Sequence, residues 1–108
     1  MSKAKWNTRE QLVNEGITWV SEDGRSIEYR GKICRDYDML SGYRAFKLYN
    51  PETRKIKNLY SHRAVALWYI GDIPEDCQVD HIDHDGWNNN KDNLRIIPAG
   101  INIRNQNR

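Results

Sequence analysis

Turn residues punctuate the first sixty positions so often that no segment between them could hold a parallel crossover. Glu22-Asp23-Gly24, Gly31 and Asn50-Pro51 bound runs rich in β-formers at residues 17–20, 26–30, 43–49 and 55–60. Asp-Gly accepts the positive φ of a tight turn, and Asn-Pro favours turn initiation. Connections this short join antiparallel neighbours, so the spacing predicts hairpins. Ahead of them Thr8-x-x-Gln11 has capping-box spacing and Gly16 can end a helix, which predicts one or two helical turns over residues 9–15. Beyond the hairpins, Ser61 is placed to cap a helix over residues 62–69. Val65, Trp68 and Tyr69 fall at helical spacing on it, and Gly71 ends it. Two further strand-like runs, residues 79–82 and 94–97, flank a polar, Asn-rich stretch. Pro98 suits the first turn of a last helix reaching about residue 107. The expected class is α+β, with a β-rich part followed by a helix and a strand–loop–strand–helix unit.

A length of 108 residues fits one domain, with residues 1–60 as the β-rich half and 61–108 as the remainder. Mean hydropathy is low, at -0.91, but four Trp and six Tyr supply buriable surface and argue against full disorder. No apolar run approaches the ~20 residues of a membrane span, and the first fifteen residues lack a signal-peptide pattern. Cys34 and Cys77 make neither a disulfide framework nor a CxxC pair, so a four-cysteine zinc site is excluded. The expectation is a protein of a reducing compartment, the cytoplasm, that is not secreted and has no membrane partner.

The net charge of +2 conceals a segregated pattern. Residues 25–69 hold ten basic side chains against four acidic ones, whereas residues 70–92 hold seven acidic ones against Lys91 alone. A basic body beside an acidic segment suits a polyanion on the body and a cation on the segment. The plainer reading is a solvated surface whose charges happen to segregate. The acidic segment carries Asp80, His81, Asp83, His84 and Asp85 within six residues. On a strand, Asp80 and His81 point to opposite faces unless the strand bends, which suits one metal ligand beside a separate base.

The run from Asp80 to Ile97, DHIDHDGWNNNKDNLRII, with Asn93 twelve residues after His81 and Asn102 nine further on, resembles an HNH endonuclease. The likeness is to the homing-type, phage- and intron-associated branch without structural zinc. Residues 61–68 resemble the segment that precedes the motif, and weaker similarity extends to Ser21-Glu22-Asp23-Gly24 and Gly42-Tyr43. The resemblance implies a C-terminal ββα-metal (His-Me finger) motif and a metal-dependent DNA endonuclease, host-cytoplasmic if phage-encoded. It implies Asp80 and Asn102 as metal ligands and His81 as general base. Asn93 would steady the catalytic loop and orient the imidazole.

Elementary chemistry agrees with these roles. A neutral imidazole near pH 7 can take a proton from water. Two oxygen ligands favour one hard ion, Mg2+ or Mn2+, over zinc. If Nδ1 of His81 donates to a carbonyl or to Asn93, Nε2 is the free base nitrogen. The expected partner is double-stranded DNA, with phosphate contacts from Arg25, Arg44, Lys47, Arg54, Lys55 and Lys57 on the strands. Arg63, Arg95 and Arg104 lie nearer the motif. His62 reads as a structural hydrogen-bonding residue, and Trp87 as a stacking or core residue. Homing relatives usually carry a DNA-reading region after the motif; with six residues following Asn102 here, the expectation is a minimal nuclease, a nuclease that reads DNA through its β-rich half, or one piece of a larger assembly. One site per chain favours nicking unless the chain forms a homodimer. The rival readings are a non-catalytic nucleic-acid-binding module with the same fold and a metal-binding structural domain.

Overall fold

The computed structural model describes residues 6–99. Helix α1, Arg9–Glu15, has the capping box read from the sequence: Thr8 accepts from the Gln11 amide, and the Gln11 side chain accepts from the Thr8 amide. Gly16, at φ 120°, closes it by donating to Leu12 and Val13. Strands β1 (Ile17–Val20), β2 (Ser26–Tyr29) and β3 (Lys32–Arg35) form one antiparallel sheet. A register shift between Ile17 and Trp19 turns both Ile17 and Val20 inward, where strict alternation would expose one of them. A second antiparallel sheet holds β4 (Tyr37–Asp38), β5 (Arg44–Asn50) and β6 (Lys55–Tyr60). The sequence did not mark β3 or β4, because neither has a clear apolar alternation; β3 is mostly exposed.

Chain polarity in the second sheet follows the period of two. Phe46 and Leu48 point inward opposite Leu59 and Lys57, while Lys47 and Tyr49 point outward opposite Asn58 and Ile56. Lys57 therefore lies on the inner face. Its amine bonds Glu15 at 3.2 Å and stands over the Trp6 ring, and Glu15 also accepts from Tyr29 and Asn50. This buried carboxylate ties the end of α1 to both sheets.

The helix over residues 62–69 is a composite. Helix α2 covers Ser61–Val65, and a wider π-helical turn covers Ala66–Ile70, closed by Gly71 donating to Ala66. Ser61 is the first helical residue and not the cap; Tyr60 occupies the cap position without a side-chain bond. Ala64, Val65, Ala66 and Leu67 are buried against the sheets, so tertiary packing sustains a helix too short to be stable alone.

The last described unit is an antiparallel ribbon of β7 (Cys77–His81) and β8 (Leu94–Pro98). Pro98 closes β8 opposite Cys77, and the backbone turns helical at Ala99, the last described residue. The expected helix to about residue 107, with Asn102 and Arg104, lies outside the described residues. Val79 and Leu94 join the same core as Phe46 and Leu67, which fixes the ribbon against the body of the molecule. The small α+β class read from the sequence is the class observed.

Candidate active site

Sheet register sets the centre of the site. His81 ends β7 opposite Leu94, and Asp80 lies directly opposite Arg95. Asp80 and His81 are both buried, at 4% and 8% exposure, yet both line one open cleft of about 610 Å³. The cleft is completed by Ser41, Gly42 and Tyr43 from the β4–β5 loop and by His84 and Gly86 from the loop after β7. Two consecutive strand residues can share a cleft because a two-stranded ribbon twists strongly and the chain turns immediately after it. The turn is closed by the His84 amide donating to the His81 carbonyl at 2.9 Å. It holds His84 at φ 65°, a left-handed conformation uncommon for a side-chain-bearing residue.

The polar loop from Asp83 to Asn93 is built by its own side chains. Asp83 accepts from the Asp85 amide, and Asp85 from the Trp87 amide. Asn90 accepts from the Asp92 amide. Each is a side chain bonding the backbone two residues on, the arrangement Asp and Asn offer most readily. Asn93 locks the ends together, donating to Asp83 at 2.9 Å and to the Asn88 carbonyl at 2.8 Å, while accepting from the Asp83 amide. Hydrogen bonds from Asn88, the Asp85 amide and Asn93 hold the Asp83 carboxyl down at about 2. Its oxygens brace the loop.

The imidazole of His81 has a different partner from the one expected. Its Nε2 lies 2.7 Å from Oδ1 of Asn89, which is 2% exposed, and Asn93 spends its side chain on the loop. With Nε2 as donor, Nδ1 keeps the lone pair, the reverse of the tautomer read from the sequence. Asn89 sits mid-run in Asn88-Asn89-Asn90, where composition signals only a loop; no local pattern singles it out.

Around His81 stands an aromatic cluster that sequence spacing did not reveal. His62 lies 5.2 Å from His81 and 5.3 Å from both Tyr43 and Tyr60 between ring centroids. The Nδ1 of His62 is buried with no hydrogen-bond partner, so His62 acts here through ring packing and not through the expected bond. Burial, aided by the neighbouring His81 and Arg63, pushes the His62 pKa down to about 3. An unfolded His, near 6.5, binds a proton across the window between these values while the folded one does not. Stability therefore falls as pH drops from about 6.5 towards 3, by a few kcal/mol in all, and is fully present above 6.5. Melting temperatures measured from pH 7 to pH 4 are expected to fall less steeply for His62→Phe than for the unaltered chain. Parallel curves would contradict this assignment.

Besides Lys57, which turns inward to bond Glu15 and not outward to a phosphate, two more of the basic side chains read as phosphate contacts are committed elsewhere. Arg63 donates from Nε to the Trp6 carbonyl and from Nη2 to Asn7, both at 2.8 Å, because α2 packs against the N-terminal segment. Arg44 bonds Asp36 at 2.6 Å and stacks over the Trp87 ring at 4.7 Å, bracing the cleft loop. Trp87 is half exposed and not a core residue. Arg25, Lys47, Arg54, Lys55 and Arg95 are exposed. Arg95 also bonds Asp80 at 2.8 Å, so one guanidinium joins the buried carboxylate to the surface.

Asp80 brings carboxylate oxygen to an open polar cleft, a donor that suits a hard divalent ion retaining several waters. Among the described residues no three His, Cys, Asp or Glu side chains gather as a metal-ligating group. No helix among them is long and apolar enough to cross a membrane.

A buried Asp-His pair ends the first strand of a two-stranded ribbon beside a loop that Asn93 ties together, and residues 59–104 match the HNH endonuclease family. Over that segment the chain carries the HNH endonuclease family's domain. It is 34% identical over 86 residues to YosQ of Bacillus subtilis strain 168, named as an HNH homing endonuclease derived from the SPbeta prophage. That alignment covers 79% of this chain and 49% of YosQ. A solved structure of the HNH homing endonuclease I-HmuI, described for DNA binding and cleavage, superposes with a TM-score of 0.73 at 27% identity. It covers 95% of this chain and 57% of the I-HmuI chain, so this chain spans about half the length of the relatives it matches.

Proposed function

We propose that the chain hydrolyses phosphodiester bonds of double-stranded DNA in the Tyr43–Asp80–His81 cleft. The observation that carries the reading is the convergence of buried Asp80 and His81 on one open cleft, with Tyr43 opposite them. His81 takes the proton of the attacking water at Nδ1, the nitrogen left free by the contact to Asn89. Asp80, with Asn102, would hold a divalent ion, Mg2+ or Mn2+, which would supply charge to offset that of the phosphate and the leaving oxygen. Asn93 steadies the loop that carries His84 and Gly86 into the cleft. Arg95 grips a phosphate next to the scissile bond while neutralising Asp80.

The outward face of the second sheet continues from the cleft. Tyr43 and Tyr60 pack edge to face at 5.8 Å, and Lys47, Tyr49 and Ile56 lie exposed beyond them. With Arg54 from the turn, this face supplies cations and flat rings to a duplex, and Arg25, Lys55 and, outside the described residues, Arg104 are proposed as separate phosphate contacts. Binding is then steeply salt-dependent. The activity is tested by incubating the chain with supercoiled plasmid and Mg2+ or Mn2+. Nicked or linear product that disappears with EDTA is expected. Tight binding at low salt without cutting in either ion would overturn catalysis in favour of a binding module.

A further inference from the structure

We infer that Asn89 is a positioning residue for His81, and that the turn between β1 and β2 is what holds it in place. The inference rests on His81 being the base of the proposed reaction. Asn89 is almost fully buried, and its Oδ1 stands 2.7 Å from His81 Nε2. An acceptor there keeps the proton on Nε2, leaves the lone pair on Nδ1 and fixes the plane of the ring. The opposite arrangement, in which the Asn89 amide donates to a bare Nε2, would place the proton on Nδ1 and remove the base.

The seat of Asn89 is built from the N-terminal sheet. Gly24 has φ 72°, and a Cβ added there would come within 2.9 Å of the Asn89 Cβ and 3.0 Å of Val65. Only a residue without a side chain lets the turn approach so closely. The Lys91 amide donates to the Glu22 carbonyl at 2.8 Å, pinning the far side of the Asn-rich run to the same turn. Glu22 and Gly24 thus hold both flanks of Asn89, more than sixty residues away in the chain. The β1–β2–β3 sheet contributes to the geometry of the base without lining the cleft.

The test uses three variants of the full chain. Asn89→Leu keeps the volume and removes the acceptor, Asn89→Asp keeps an acceptor, and Asn89→Ala removes both. Nitrogen-15 NMR of the histidine rings in the metal-free protein is expected to show His81 as the Nε2–H tautomer in the unaltered chain and in Asn89→Asp. In Asn89→Leu the signal should move to a tautomer mixture. Plasmid nicking is expected to lose roughly tenfold in kcat with KM unchanged for Asn89→Leu, and to be rescued by Asn89→Asp. A part that only fills space would instead leave Asn89→Leu near normal and damage Asn89→Ala. An Nδ1–H tautomer in the unaltered chain would overturn the inference. Because that spectrum needs no turnover, a chain that shows the expected tautomer but never cuts DNA refutes the proposed activity and leaves this positioning intact.

Discussion

Replacing His81 by Ala is expected to abolish measurable nicking while leaving duplex affinity within about twofold. A positioned general base contributes roughly 10²- to 10⁴-fold, and the lost imidazole has no substitute of suitable basicity in the cleft. His84 lines the same cleft, but it stands on the loop after the ribbon in a left-handed conformation and has no contact that fixes its ring. His62 is held neutral by burial and does not line the cleft. Affinity should persist because the proposed phosphate contacts lie on other elements, notably the outward face of β5 and β6. The check is a single-turnover nicking assay beside a filter-binding titration at one salt concentration. A variant that cuts within tenfold of the unaltered chain would remove His81 from the chemistry.

Gly86→Ala is expected to damage the cleft from a position that carries no functional group. A Cβ on Gly86 would stand 2.5 Å from the Gly42 carbonyl oxygen, a distance real side chains do not tolerate. The obstacle is backbone, so relief requires moving the loop that brings Ser41 and Tyr43 to the cleft. Overpacking of this kind costs roughly 1–3 kcal/mol. Displacing Tyr43 also disturbs the packing of His62 and His81, to whose rings its own lies at 5.3 and 6.4 Å. Nicking is therefore expected to fall roughly 10- to 100-fold, since a misplacement near 1 Å can cost that much. Gly31→Ala provides the control. That glycine, at φ 83°, has nothing within 4 Å of an added Cβ and lies in the distant β2–β3 turn, so it reports backbone strain alone. Nicking rates measured well below both melting temperatures separate the two. Equal rates for both variants would mean that the Gly42–Gly86 contact does not shape the site.

Several elements could be read from the chain because their causes are local. The capping box of α1 and the hairpin turns need only a few neighbouring residues, and a short polar connection can join only antiparallel strands. The Asp80-His81 pair, Asn93 and the acidic bias of their segment were legible as a motif for the same reason. Which lysines face outward was not legible, since Lys57 turns inward only because β5 places Leu48 opposite it. Arg44 and Arg63 illustrate the same limit: each is claimed by a partner, Asp36 or the Trp6–Asn7 segment, that sequence spacing does not reveal.

By itself, then, the amino-acid order determined the class of fold, the hairpins and the identity of the Asp-His motif, all of which arise from contacts within a few residues. Tertiary structure alone decided which asparagine meets the imidazole, because Gly24 and Glu22 select Asn89 by packing from across the molecule. It also decided that Tyr43 and Gly86 belong to the cleft and that His62 packs against His81. Their proximity is set by how a ribbon, a helix and a loop share one core, and no local pattern encodes it.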